Sequence, residues 1–429
     1  MDHRSSGHLR QQQQEIGAAH LDRHTSGLGS RCSWKPSEYD ATMAARLISR
    51  RQALQTVLFG TGSLFVPGLP LAKEMRLMVV GQALIKHDLR KHAYPGFQPL
   101  CERLSRGDVC FSNLETPIRG PNTQDDARGS TPEVLDCLQA MSINLLALSN
   151  NHSFDLGPEG IYATIEETRR RGIAHAGTGA VIGDAGAAGF CRSRSGVAAL
   201  VAFASNVFSD IPLATENRPG VNHLCLAGRS MRPVESSEQE EGGSPDPLDA
   251  QRILASLKLA AQKADLVIAY QHDHYWEPDW RRTPDWKRRW ARRCIDAGAH
   301  AYISHGVPLL HGVEIYKQRP IFYGLASFIL QNRLSIAAIE RSPISKVRSN
   351  EPAVWESVVA DCLFRSGKLT NLRLEPMACE ESGSPADTLG RPSLVYGQRA
   401  HAILERVRTL SAPFGTSVAI SGDAAEVKL

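Results

Sequence analysis

Five short stretches of this sequence carry side chains able to ligate a metal ion or move a proton. They are Asn113-Leu114-Glu115, Asn150-Asn151-His152 with Asp155 three residues on, Gln271-His272-Asp273-His274, Ser304-His305, and Gly81-Gln82 followed by Lys86-His87-Asp88. Imidazole nitrogen and carboxylate oxygen together suit borderline divalent ions such as zinc, manganese or iron. Singly, each stretch is weak. A lone histidine at a strand end is more often a satisfied structural residue than a ligand, Asn151 is suited to capping a turn, and Glu115 could open a solvent-facing loop. What they share is setting, because each follows a short apolar run.

Those runs are the elements that must position the chemistry. Residues 76–81, 108–112, 143–149, 197–204, 266–270 and 299–304 have the length and composition of strands, and helical patterns fill 96–106, 132–141, 158–171, 249–264 and 285–297. This alternation predicts an α/β domain with a largely parallel sheet. INLLALS from Ile143 reads as a strand buried on both faces, and Gly157-Pro158-Glu159 as a helix start. The polar run between them therefore sits at the carboxyl end of a strand, where ligands bind in open α/β sheets. Further on, 313–316 and 320–328 flank Lys317-Gln318-Arg319, and 354–364 and 369–375 flank Ser366-Gly367. Both read as hairpins, followed by a helix near 398–410. Two sheets packed face to face with helices outside accommodate the whole, with 236–249 as a polar surface loop.

The 429 residues are 42% hydrophobic and 22% charged, the composition of a soluble globular protein. A net charge of +4 and the lack of a basic stripe interleaved with aromatics argue against nucleic acid as a partner. The basic run 281–293 reads as a solvated helix face with tryptophans opposite, an anionic-substrate site being the sharper alternative. Nine cysteines without a C-x-x-C pair form neither a zinc-finger pattern nor a disulfide framework; they are expected as small core side chains, a bridge or two staying open if the chain is exported. Residues 1–42 read as a disordered extension. Residues 43–72, where Ser49-Arg50-Arg51 leads into an uncharged stretch, have the layout of a twin-arginine signal peptide. The expected organisation is completed by a domain over 73–380 and a C-terminal helix and tail, 381–429, packed on it. The expected location is the periplasm or cell envelope, with no integral membrane segment in the mature chain.

DVCFSNLETPI, LLALSNNHSFDLGPEGIYATIEETRRRGIAHAGTG, VIAYQHDHYWEP, IDAGAHAYISHGVPLLHGVEIY and RPIFYGLASFIL, spread over about residues 76 to 330, occur in the order of the CapA family. SAPFGT at the end is similar to that family's tail. The sequence thus resembles the poly-γ-glutamate capsule synthesis proteins, whose domain is similar to the calcineurin-like metallophosphoesterases. The resemblance implies an α/β fold of the metallophosphoesterase type, a β-sandwich of two mixed sheets flanked by helices, with the site between the sheets. It implies Glu115, Asn151, His272 and His305 as metal ligands, with His274 an additional candidate beside His272. His152 would act as general acid without binding metal, and Asp155 would orient it. One or two divalent ions (manganese, iron or zinc) would polarise the substrate and activate water. Implied partners are an anionic polymer or phosphoester substrate and membrane proteins of capsule synthesis.

This chain departs from the family pattern in three places. Gln82 replaces an aspartate, and Ser304-His305-Gly306-Val307-Pro308 has lost at least one histidine. Ala326-Ser327-Phe328 replaces Gly-Asn-Phe. Asp273 and His274 are extra candidates, with His87, Asp88 and His311 close to motif positions. The site therefore holds one metal with rearranged ligands or has lost metal catalysis. Three functions stay open: an exported hydrolase, a non-catalytic polyanion-binding assembly or export factor, and a sugar- or peptide-binding module with a structural polar rim.

Overall fold

Strand β1 (Glu74–Leu84) is apolar on both sides, Leu77 and Val79 facing one way and Met78 and Val80 the other, all fully buried. A strand covered on both faces loses the polar alternation of a solvent-facing one. The computed structural model describes residues 73–91, 94–123, 126, 128–205, 212–227, 244–274, 282–331, 351–381, 384 and 388–429. The extension and signal peptide expected over 1–72 lie outside the described residues, as does most of the 236–249 loop.

From β1 the chain continues through β2 (Val109–Leu114), β3 (Leu145–Ala147) and β4 (Ala174–Ala176). Next come β5 (Gly189–Ser193), β6 (Gly196–Ser205), β7 (Leu266–Asp273), β8 (Ala301–Gly306), β9 (Val313–Tyr316) and β10 (Arg319–Phe322). The last strands are β11 (Ser327–Leu330), β12 (Glu356–Arg365), β13 (Lys368–Cys379), β14 (Pro392–Leu394), β15 (Val418–Ser421) and β16 (Ala424–Val427). The longer helices are α1 (Phe97–Leu104), α2 (Glu133–Ala140), α3 (Gly157–Arg170), α4 (Pro247–Ala261), α5 (Asp285–Asp296) and α6 (Gly397–Ser411).

One mixed sheet runs β15-β16-β13-β12-β1-β2-β3-β4, with β11 parallel to β1 and β14 beside β13; the other runs β9-β10-β8-β7-β6-β5. Leu77, Val79, Phe111 and Leu145 of the first pack on Leu200, Ile268, Tyr270 and Ile303 of the second, Phe111 and Tyr270 with ring centroids 5.3 Å apart. The outer face of the first sheet, through Met78 and Val80, meets Leu100 and Leu104 of α1 and Val134 and Leu138 of α2. The outer face of the second, through Val201, Phe203 and Val267, meets Ile253 and Leu257 of α4 and Trp286 and Trp290 of α5. The result is the expected α/β sandwich of two mixed sheets flanked by helices. Among the described residues no helix is long and apolar enough to cross a membrane.

Two expectations need correction. The arm expected over 320–328 is two strands: β10 ends at Phe322, and β11 then joins β1 in the other sheet. Ala326 takes a positive φ of 56° at this crossover. Gly81 accommodates it, since a Cβ there would stand 2.4 Å from the Ala326 carbonyl oxygen. The tail expected after the C-terminal helix also proves to be β-structure: β15 and β16 follow α6, and β16 pairs with β13. The eight cysteines among the described residues are all free thiols, and six are buried. Trp286 and Trp290 of α5 face the sheet while Arg289 and Arg293 are exposed, as a helix with one solvated face requires.

His300 gives the fold an acid-sensitive tie. Its Nδ1 accepts the Val267 N–H at 3.0 Å, which a protonated ring cannot do, and burial lowers its pKa to about 4. The unfolded chain binds this proton first, so the contribution is complete above about pH 6.5 and lost as pH falls toward 4. His300→Asn should flatten the stability profile across that window in urea unfolding; an unchanged slope would refute the assignment.

Candidate metal centre

Strand ends bring the polar residues together. The Glu115 N–H donates to the Ala83 carbonyl at 3.0 Å, placing the buried Glu115 just beyond β2. After β3 the chain turns, and Asn150 builds the turn. Its Nδ2 donates to Asn113 Oδ1 at 3.0 Å and to the Leu114 carbonyl at 2.8 Å, while its Oδ1 accepts the His152 N–H at 3.0 Å. The Ser153 hydroxyl accepts the Asn150 N–H at 2.9 Å and donates to the Leu148 carbonyl at 2.5 Å. Side chains of this type stabilise tight turns by bonding nearby backbone. The first asparagine is thus consumed by structure and the second left to face the centre.

Successive strand residues point to opposite faces, so His272 and His274 share one side of β7 and Asp273 takes the other. His272 Nε2 lies 2.8 Å from Asn151 Oδ1, His274 Nε2 lies 3.1 Å from the same oxygen, and the two Nε2 atoms are 2.9 Å apart. Glu115 Oε1 is 3.6 Å from His272 Nε2. Ligating atoms of Glu115, His272 and His274 fall within 4.8 Å of one another. His305 stands opposite His272 in the register of β7 and β8, its ring 5.5 Å from that of Tyr270. It is fully buried with no hydrogen bond to either ring nitrogen.

Burial drives the protonation states. It lowers the His272 pKa well below the ordinary value and those of His274 and His305 to about 3, and the Lys287 cation acts in the same direction on all three. These imidazoles are therefore neutral, the form that ligates metal. Burial, aided by Asp155, pushes Glu115 well up, so without a nearby cation it keeps its proton. The fit to a divalent ion rests on the donor set. Two imidazole nitrogens, an amide oxygen and a carboxylate oxygen converge, while the buried Glu115 Oε2 has no hydrogen-bond partner. A borderline dication accepts all of these electron pairs at once.

Asp155 Oδ2 lies 2.9 Å from His152 Nδ1, both side chains partly exposed. Asp273, a ligand candidate by sequence, is not one. It faces away, accepting from Ser205 Oγ at 3.0 Å and pairing with Lys287 Nζ at 3.3 Å. Asp88 is held by Arg90 at 2.7 Å. Gln82 Oε1 accepts the Gly306 N–H at 3.1 Å, linking β1 of one sheet to the end of β8 in the other. The supporting residues Ser153, Tyr270, Ser205 and Lys287 were not found by sequence, and Asn113 was seen only as part of the stretch that leads to Glu115. Only the doubled asparagine hinted at a division of labour. Lys287 sits within a basic run that reads as solvated, yet it is buried against Asp273.

Breaking a buried ion pair from one side leaves an uncompensated charge at a cost of about 3–5 kcal/mol. Lys287→Met should lose that much in urea unfolding, and Lys287→Met with Asp273→Leu should recover a large part of it. Simple additivity of the two single losses would contradict this pairing.

Comparison with known proteins is consistent with the sequence resemblance. The model of the family described as bacterial capsule synthesis protein PGA_cap matches residues 76–332. Uncharacterized protein y4sH of Sinorhizobium fredii (strain NBRC 101917 / NGR234) is 31% identical over 431 residues, covering 82% of this chain and 93% of that protein. PGA biosynthesis protein CapA of Bacillus subtilis (strain 168) is 24% identical, covering 59% of this chain and 61% of its own. Capsule biosynthesis protein CapA of Bacillus anthracis is 23% identical, with 54% and 53% covered. The chain spans little more than half of these last two.

Proposed function

The chain belongs to the PGA_cap family of bacterial capsule synthesis proteins, and on that footing we propose that it is an exported envelope protein acting as a metal-dependent hydrolase of phosphoesterase type. Its substrate is a phosphoester, or a bond of comparable polarity, in an anionic envelope polymer handled together with membrane partners of capsule synthesis. The observation that carries this reading is the mutual approach of His272 Nε2, His274 Nε2 and Asn151 Oδ1 to within 3.1 Å, with Glu115 beside them.

In this reading Glu115, Asn151, His272 and His274 hold the ion, and His305 supplies a further imidazole from the adjoining strand. A bound divalent ion polarises the scissile oxygen and lowers the pKa of water. His152 stands at the exposed side, its Nδ1 hydrogen-bonded to Asp155. That contact orients the ring, and Nε2 is the nitrogen that would deliver a proton to the leaving oxygen. Asn150 holds the turn that carries both Asn151 and His152, so ligand and acid move as one unit.

Metal analysis and hydrolysis of bis(p-nitrophenyl) phosphate test this together. His272→Ala should lose one equivalent of metal. His152→Ala should keep the metal and lose roughly 10²–10⁴-fold in kcat, the usual share of a general acid. Wild-type protein without metal at this centre, or undiminished turnover in His152→Ala, would sink the hydrolase.

A second reading, a non-catalytic polyanion-binding assembly factor, is favoured by Gln82. Its neutral amide stands where the family carries a carboxylate, and its oxygen is spent on Gly306. Polymer binding without bound metal, unaltered in His152→Ala, would select it. Export by the twin-arginine route predicts that Arg50→Lys with Arg51→Lys leaves the precursor in the cytoplasm; continued export would remove that part of the proposal.

A further inference from the structure

A second convergence of ligand-type atoms lies at the outer side of the second sheet. The segment carrying His223 and Cys225 runs beside the end of β6: the Ala204 N–H donates to the Asn222 carbonyl at 2.9 Å and the Leu224 N–H to the Ala204 carbonyl at 2.8 Å. Asp249 comes from the first turn of α4, whose start is capped by Asp246. One ligating atom each of His223, Cys225 and Asp249 lies within 4.8 Å of the other two. His223 Nε2 and Asp249 Oδ1 are 3.2 Å apart, close to the roughly 3.3 Å separation of two ligands on one tetrahedral zinc ion.

The surroundings fix these groups in place. Asp249 Oδ2 accepts the Cys225 N–H at 2.9 Å, and Asp249 Oδ1 accepts from Arg252 Nη1 at 2.7 Å. Arg252 also donates to the His223 carbonyl at 2.6 Å and to Asn222 Oδ1 at 3.2 Å. A guanidinium that grips both a ligating carboxylate and the backbone of a neighbouring ligand is the kind of support that orients metal ligands from behind. His223 Nδ1 is buried without a hydrogen-bond partner, which leaves Nε2, aimed at Asp249, as the ring's polar contact. Thiolate, imidazole and carboxylate form a softer set than the first centre, which has no sulfur.

We propose that His223, Cys225 and Asp249 form a second divalent-cation site, of the three-ligand zinc type, that fastens the His223–Cys225 segment to α4 at the end of β6. Binding replaces the S–H bond of Cys225 by a sulfur–metal bond and releases one proton to solvent; no electron is transferred. The fourth position is left to water. The same strand end carries Ser205, which holds Asp273 behind His272 and His274, so the clip steadies the scaffold on which the first centre stands.

Cobalt(II) is the probe, because a sulfur ligand gives a near-ultraviolet charge-transfer band that nitrogen and oxygen ligands do not. The chelated, purified chain reloaded with cobalt should show this band, and it should persist in His272→Ala, which loses only the first centre's equivalent. Cys225→Ser and His223→Gln should each lose the band together with one equivalent of zinc. As a check needing no substitution, zinc should protect Cys225 but not the similarly half-buried Cys101 from iodoacetamide in the native protein. A wild-type spectrum without the band, a band retained in Cys225→Ser, or equal labelling with and without zinc overturns the second site. Loss of metal by His272→Ala would stand regardless, so the two centres fail separately.

Discussion

Three polar atoms pressed together in a buried space must share whatever ring protons they have, and the strand ends of this molecule hold such a group in place. Two imidazole nitrogens and an amide oxygen sit within 3.1 Å of each other because their backbones allow little else. Asn150 clamps one turn from below, and the pleat of β7 turns both histidines inward. The buried Lys287–Asp273 pair anchors the opposite face of the same strand end. A protein tolerates unmet polar demand of this sort only where the surrounding structure over-determines it.

The charge of the donors matters as much as their number. Of Glu115, Asn151, His272 and His274, only Glu115 can become anionic, and Gln82 stands with a neutral amide where the resembled family pattern has another carboxylate. A dication held by this set would keep a net positive charge, whereas the buried Lys287 ammonium is balanced by its own partner Asp273. Such a centre attracts anionic groups and tolerates them close by. The Gln82 oxygen serves instead as a strut between the sheets, accepting the Gly306 N–H.

What could be read from sequence, and what could not, follows the range of the interactions involved. Glu115, Asn151 and His272 were legible because each ends a short apolar run, and period-two strands with turn signals are local properties. Asp273 was weighed beside its neighbours although strict alternation already sends it to the far face. Lys287 was illegible: within DWKRRW it looks solvated, and only the placement of α5 over the second sheet shows that it is buried. Nor do apolar runs say which of two sheets they join, and so the stretch over 320–328 looked like one hairpin arm when it changes sheets at Ala326. β4 and β5 escaped notice as short edge strands, β5 with mixed exposure.

The strand order carries a cost in time. β1, among the first residues of the folded unit, lies between β2 and β12, and Arg76 pairs with Asp361 across 285 residues of sequence. β11 must also return beside β1 from the far sheet. Contacts of such separation form slowly because long loops must close before anything rewards them. β1 has its partner β2 close by in sequence, but its other edge is completed only once β11 and β12 have been made. Completion of the first sheet is thus a late event, and until then the unpaired strand edge is the kind that favours aggregation.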